Sequence, residues 1–222
     1  MELAAIVPFP TTAHAAAFAT VAGEAALVRL VRALVGPVPA AQVIVVADDS
    51  LVAGARACLD SAGLSAVSAI ASGAPGTRHQ CLLTALEHLG GEPHPPSHVL
   101  VHDHRHPLTP VDVTERVIDG LLVGHAVVVP VLPMTDTVKV VDDRGAVSGT
   151  LDRTALRTVQ YPRGYRSAVL AQSITGDADE FTVALAAGTP IATVDGDADA
   201  FAAELPTDAP LLGAISATHH PG

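Results

Sequence analysis

Residues 99–107 read VLVHDHRHP, an apolar run ending in three histidines that alternate with an aspartate and an arginine. Two chemistries are open to this pattern. On a continuing strand His102, His104 and His106 would share a face and could ligate one zinc ion, with Asp103 or His98 completing the set. If the strand stops at Val101, Asp103 is instead a hard carboxylate just past a strand's carboxyl end, a position suited to magnesium. Pro107 closes the run immediately.

Either chemistry needs elements to hold it. Short Val- and Ile-rich runs alternate with Ala/Leu segments of helical length, the pattern of βα units around a mainly parallel, buried sheet with helices on both faces. Strands are predicted over 3–7, 42–47, 66–70, 98–101, 126–131 and 191–194, and helices over 24–35, 51–62, 78–89 and 111–121. Thr109 is the expected N-cap of the last helix, with Pro110 at its first position. Between 133 and 165 the alternation breaks into short polar strands around "DDRG", which predicts a protruding β-arm. The expectation is one α/β domain over 1–222 with an arm at about 133–165. Ligands of an open parallel sheet bind beyond the carboxyl ends of its strands. The clusters "PFPTTAH", "ADDS", "SGAPGTR" and "HDHRH" all fall there.

Composition narrows the function. The chain is 49% apolar and 3% aromatic with no Trp, so its core is Ala, Val and Leu in close helix-on-sheet layers. A formal charge of −11, with only 12 Lys and Arg, argues against a nucleic-acid partner and makes anionic substrates harder to attract. Cys58 and Cys81 are too few for a disulfide framework or a Cys-based zinc site, and they fit a reducing cytoplasm. The start, MELAAIVPFP, lacks the basic segment of a signal peptide, and the apolar run 121–132 is broken by His125 and Pro130. A cytoplasmic protein without a membrane span is expected.

The segments "VLVHDHRHPLTP", "PMTDTVKVVDDRG", "TLDRTALRTVQYPRGY" and "VDGDADAF", in this order and spacing, resemble the methylerythritol phosphate cytidylyltransferases (the IspD family). The resemblance implies a Rossmann-like nucleotidyltransferase fold and a homodimer joined through the arm. It implies transfer of CMP from CTP to a sugar-alcohol phosphate, with Mg²⁺, in isoprenoid biosynthesis. By residue, it implies that Asp103 binds the metal and that Thr137, Lys139 and Arg153 reach from the arm into the neighbouring subunit as catalytic residues. Pro8, Gly73, Arg78, Cys81 and His104 would face the nucleotide.

The chain also departs from the family pattern. The glycine-rich first loop, with its arginine and Pro-Lys pair, is replaced by "PFPTTAHAAAFATVAGEAAL", which has no Gly between Val7 and Ala22 and no Arg or Lys. Ala and Pro do not let backbone amides approach phosphate as Gly does. His14 is the remaining cationic candidate there. A C-terminal lysine falls on Ala202, and the motif arginine moves back one position to Arg105, between His104 and His106. On alternating geometry that shift reverses the side it faces. Three lost contacts to charged groups remove on the order of 4–9 kcal/mol, roughly a 10³- to 10⁶-fold loss. Weak or lost activity is therefore expected. The alternatives are a fully active enzyme with an altered substrate and a histidine-based metal protein.

Overall fold

The computed structural model describes residues 2–176 and 178–219. The chain opens with β1 (Leu3–Phe9), a short helix α1 (His14–Ala17), a hairpin of β2 (Thr20–Val21) and β3 (Glu24–Ala25), and α2 (Ala26–Arg32). Then β4 (Val43–Ala47), α3 (Asp49–Ser61), β5 (Ser68–Ala71), α4 (Arg78–Gly90), β6 (His98–Val101), α5 (Val111–Leu122) and β7 (Val127–Pro133) follow as βα units. The arm hairpin is β8 (Lys139–Val141) and β9 (Val147–Thr150). The chain ends with β10 (Arg157–Val159), β11 (Arg163–Arg166), α6 (Ser167–Ser173), α7 (Glu180–Ala186), β12 (Ile191–Asp195) and α8 (Ala209–His219).

The sheet runs β10-β7-β11-β6-β1-β4-β5, with β12 also paired to β7. Pairs β4–β5, β1–β4, β1–β6 and β7–β12 are parallel; β11 lies antiparallel between β6 and β7. Strand residues alternate between two apolar layers, which explains the unbroken apolar runs. Ala5, Val7 and Phe9 meet α2, α3 and α5 on one face, while Ala4 and Ile6 meet α4, α6 and α7 on the other. The fold is thus a mainly parallel, Rossmann-like α/β sheet, as predicted.

Four sequence expectations change. The helix predicted over 24–35 is confined to Ala26–Arg32, because Glu24 and Ala25 pair with Thr20 and Val21. Pro110, extended at ψ 150°, is the N-cap of α5, and the Thr109 hydroxyl donates to the His106 carbonyl at 3.1 Å instead. The stretch 133–165 read as arm divides: β10 and β11 pair in the main sheet, and 134–156 protrudes. Strand β11, "RGYR", falls outside the predicted strands. Gly164 fits it beneath α5, where a Cβ would sit 2.8 Å from Val117 Cγ1. Among the described residues no helix is long and apolar enough to cross a membrane.

Candidate active site

The parallel strands bring Thr11, Asp48, the turn 72–77 and Asp103 to one edge, beyond β1, β4, β5 and β6. The Thr11 hydroxyl donates to Asp48 Oδ2 at 3.0 Å and the Thr11 amide to the Gly76 carbonyl at 2.9 Å. Asp48 caps α3, and the Ser50 hydroxyl and amide hold its carboxyl below the usual range. The Gly73 amide donates to Asp49 Oδ1 at 3.1 Å.

Gly76 closes this edge at φ +67°, and a Cβ there would lie 2.4 Å from Asp48 Oδ2 and 2.5 Å from Thr11 Oγ1. Left-handed backbone costs an L-residue about 1–2 kcal/mol. Gly76→Ala is accordingly expected to lower stability by at least that amount in urea denaturation, with the Thr11–Asp48 bond displaced.

The first loop is wound up rather than open. A 3₁₀ turn, Thr11–Ala13, runs into α1, and Ala13, Ala16 and Ala17 are buried. Ala13 and Ala17 belong to the core layer, so their methyls hold the segment down. His14 is exposed at the start of α1.

Asp103 is the charged centre. Its side chain is 4% exposed. Oδ1 accepts from the Arg105 amide at 2.9 Å and Arg105 Nε at 3.0 Å; Oδ2 accepts from Arg78 Nη1 at 3.2 Å. Burial pushes its pKa up, but the Arg78 guanidinium, with help from Arg105, wins and holds it well below the usual carboxylate range. Arg78 also donates to both Glu180 oxygens, at 2.7 and 3.3 Å. Arg163 Nη1 lies 2.9 Å from each oxygen of Asp179, with its guanidinium 4.1 Å from the Tyr161 ring centre. Asp179 in turn caps α7 through the Phe181 and Thr182 amides. A cavity of about 400 Å³ is lined by Arg78, Asp103, Arg105, Tyr161, Asp179 and Glu180, together with Thr77, His79 and apolar neighbours.

The histidines do not converge on a metal. The strand stops at Val101, so His102 to His106 lie in a turn and no longer share a face. His102 Nδ1 accepts from the Asp103 amide at 2.9 Å, and burial pushes its pKa down to about 3. His106 Nδ1 donates to the Ala200 carbonyl at 2.8 Å. His104 lies against the Phe9 ring, half-buried, and desolvation there lowers its pKa. Among the described residues no group of three or more His, Cys, Asp or Glu is placed to hold a metal ion. Nor does Asp103 suit magnesium in this arrangement. Mg²⁺ requires near-octahedral oxygen donors, whereas both Asp103 oxygens face guanidinium groups.

Arg78, Asp103 and Arg105 come together at the cavity, and Gly73 and His104 lie in the adjoining turns. Pro8 lies buried within β1. Cys81 is buried in the α4 layer, its thiol pushed up to about 11 by burial and therefore neutral. Thr137, Lys139 and Arg153 stand exposed on the arm, with Lys139 Nζ donating to Thr150 Oγ1 at 2.8 Å and Arg153 to the Thr135 carbonyl. None of these three lines the cavity of this chain. Ala202 is exposed, and its neighbour Ala203 donates its amide to the Arg105 carbonyl at 2.7 Å. Sequence reasoning missed Tyr161, Arg163, Asp179 and Glu180 as site residues. The one local signal was "DADEFT", an Asp cap followed by an acidic first turn.

The family model described as 2-C-methyl-D-erythritol 4-phosphate cytidylyltransferase matches residues 11–216. Proteins of that name from Frankia casuarinae and Rhodococcus jostii are 37% identical over 127 residues and 47% identical over 76 residues. Those segments cover 55% and 34% of this chain, and 48% and 34% of the relatives, so the matches span half or less of the curated proteins' length. The crystal structure of 2-C-methyl-D-erythritol 4-phosphate cytidylyltransferase from Thermus thermophilus superposes with a TM-score of 0.76 at 26% identity, covering 97% of this chain and 99% of that one.

Proposed function

Because the chain belongs to the 2-C-methyl-D-erythritol 4-phosphate cytidylyltransferase family, we propose that it binds CTP along the carboxyl edge of β1, β4, β5 and β6 and transfers CMP to methylerythritol phosphate weakly or not at all. In the transfer an acceptor phosphate oxygen bonds to the α-phosphorus of CTP, and the bond to the departing pyrophosphate breaks. The enzyme's task is to hold two anions in line and to neutralise charge on the triphosphate. Arg78 and Arg105 supply positive charge at the cavity. Thr137, Lys139 and Arg153 act on the sugar phosphate from the arm of a second copy, in a cytoplasmic homodimer.

Weak turnover is supported by one observation above all: the segment after β1 is packed as α1 on buried alanines, and the Thr11 amide is engaged by Gly76. Amides so engaged cannot cradle a triphosphate. With CTP, Mg²⁺ and methylerythritol phosphate, pyrophosphate release is expected at least about 10³-fold below an ordinary family member, while CTP still raises the melting temperature. Turnover within about tenfold would overturn the loss of activity and favour a fully active enzyme. Sedimentation as a monomer would remove the arm's part.

A further inference from the structure

We infer that Arg105, with Arg78, takes the place of a divalent cation at Asp103, so that this site receives a polyphosphate through guanidinium groups and without a metal on the carboxylate. The inference rests on the proposed nucleotide site and specifies how its charge is balanced.

Three observations carry it. First, the carboxylate is bracketed: Arg105 grips Oδ1 with both its amide and Nε, and Arg78 holds Oδ2. The amide contact two residues on is a local turn, so it sets Arg105 beside Asp103 without help from the rest of the fold. Second, the two arginines differ in freedom. Arg78 is doubly bonded to Glu180, whose side chain is 2% exposed, and so stays in place. The Arg105 side chain is 52% exposed and, among the described residues, its guanidinium bonds only Asp103, so further N–H donors remain at the cavity. Third, the carboxylates at the cavity already have cationic partners: Asp103 has Arg78 and Arg105, Glu180 has Arg78, and Asp179 has Arg163, which is not itself among the lining residues. A dication added to Asp103 would have to displace Arg105 and approach the Arg78 guanidinium. A guanidinium fork, by contrast, already matches phosphate geometry.

The test uses inorganic tripolyphosphate and isothermal titration calorimetry, with EDTA or with MgCl₂. Wild-type protein is expected to bind it with affinities agreeing within about threefold in the two buffers. Arg105→Ala is expected to bind at least about tenfold more weakly in EDTA and to recover in Mg²⁺, with that recovery lost in Arg105→Ala/Asp103→Asn. Unchanged melting temperatures for Arg105→Ala would confirm that the loss is local. Wild-type binding that needs Mg²⁺, an Arg105→Ala variant as tight as wild type in EDTA, or no tripolyphosphate binding at all would each overturn the inference. CTP run in parallel separates the two levels: tripolyphosphate bound without CTP binding removes the proposed nucleotide substrate and leaves the guanidinium site standing.

Discussion

Replacing Arg78 by alanine is expected to destabilise the protein by about 3–5 kcal/mol, the cost of leaving buried charges without their partner. Arg78 bridges two carboxylates that have almost no access to water, Glu180 at 2% and Asp103 at 4% exposure. Once it is removed, Glu180 retains Arg163 only at 4.0 Å, whereas Asp103 retains Arg105. The unpaired Glu180 therefore dominates the cost. Folded proteins of this size are stable by about 5–15 kcal/mol, so the loss is a large part of the whole. It corresponds to a fall of roughly 6–20 °C in melting temperature. The double variant Arg78→Met/Glu180→Leu should be milder than Arg78→Ala, because it removes the buried charge together with its partner. Urea denaturation of both variants checks this, and a loss under about 1 kcal/mol in Arg78→Ala would contradict a buried role for the bridge.

Acidification is the second large effect. Burial pushes the His102 pKa down to about 3, and burial also lowers those of His104 and His106. His102 faces His106, Asp103 and Arg78, and positive charge on His106 and Arg78 works in the same direction as burial. The unfolded chain takes up a proton as pH falls through about 6.5, while folded His102 stays neutral. Stability due to this group is thus fully present above about pH 6.5 and is lost on the way down to about 3, at roughly 1.4 kcal/mol per pH unit. Between pH 6.5 and 4.5 His102 alone should cost about 2–3 kcal/mol. His102→Asn keeps an acceptor for the Asp103 amide but cannot titrate. Its unfolding free energy plotted against pH should be shallower by about one proton over that window. A slope equal to wild type would show that His102 is not held neutral by the fold.

Local pattern and tertiary structure divide the remaining credit in a physical way. The runs that form β1, β4, β6 and β7 were legible because strands buried on both faces are largely apolar. Strand β11 was not, since "RGYR" carries two arginines. Arg163 is buried only because Asp179 neutralises it and Tyr161 and Phe181 stack against it. The small residue that β11 needs, Gly164, has meaning only once α5 lies across it.

The site divides in the same manner. The end of β6 at Val101, just ahead of Asp103, and the start of α4 at Arg78 follow from neighbours a few residues away, and the sequence alone determined them, as it did the missing glycines of the first loop. It also showed Arg105 displaced by one position, but alternation suggested that the side chain would point away. In a turn, alternation fails, and the same shift places its amide and guanidinium on Asp103. The partners Arg78 and Glu180 are 102 residues apart, and only the order of strands in the sheet decides that their loops share one edge. Periodicity is a property of local backbone geometry and can be read along the chain, whereas the balance of buried charge depends on which distant loops the folded sheet brings within a few ångströms.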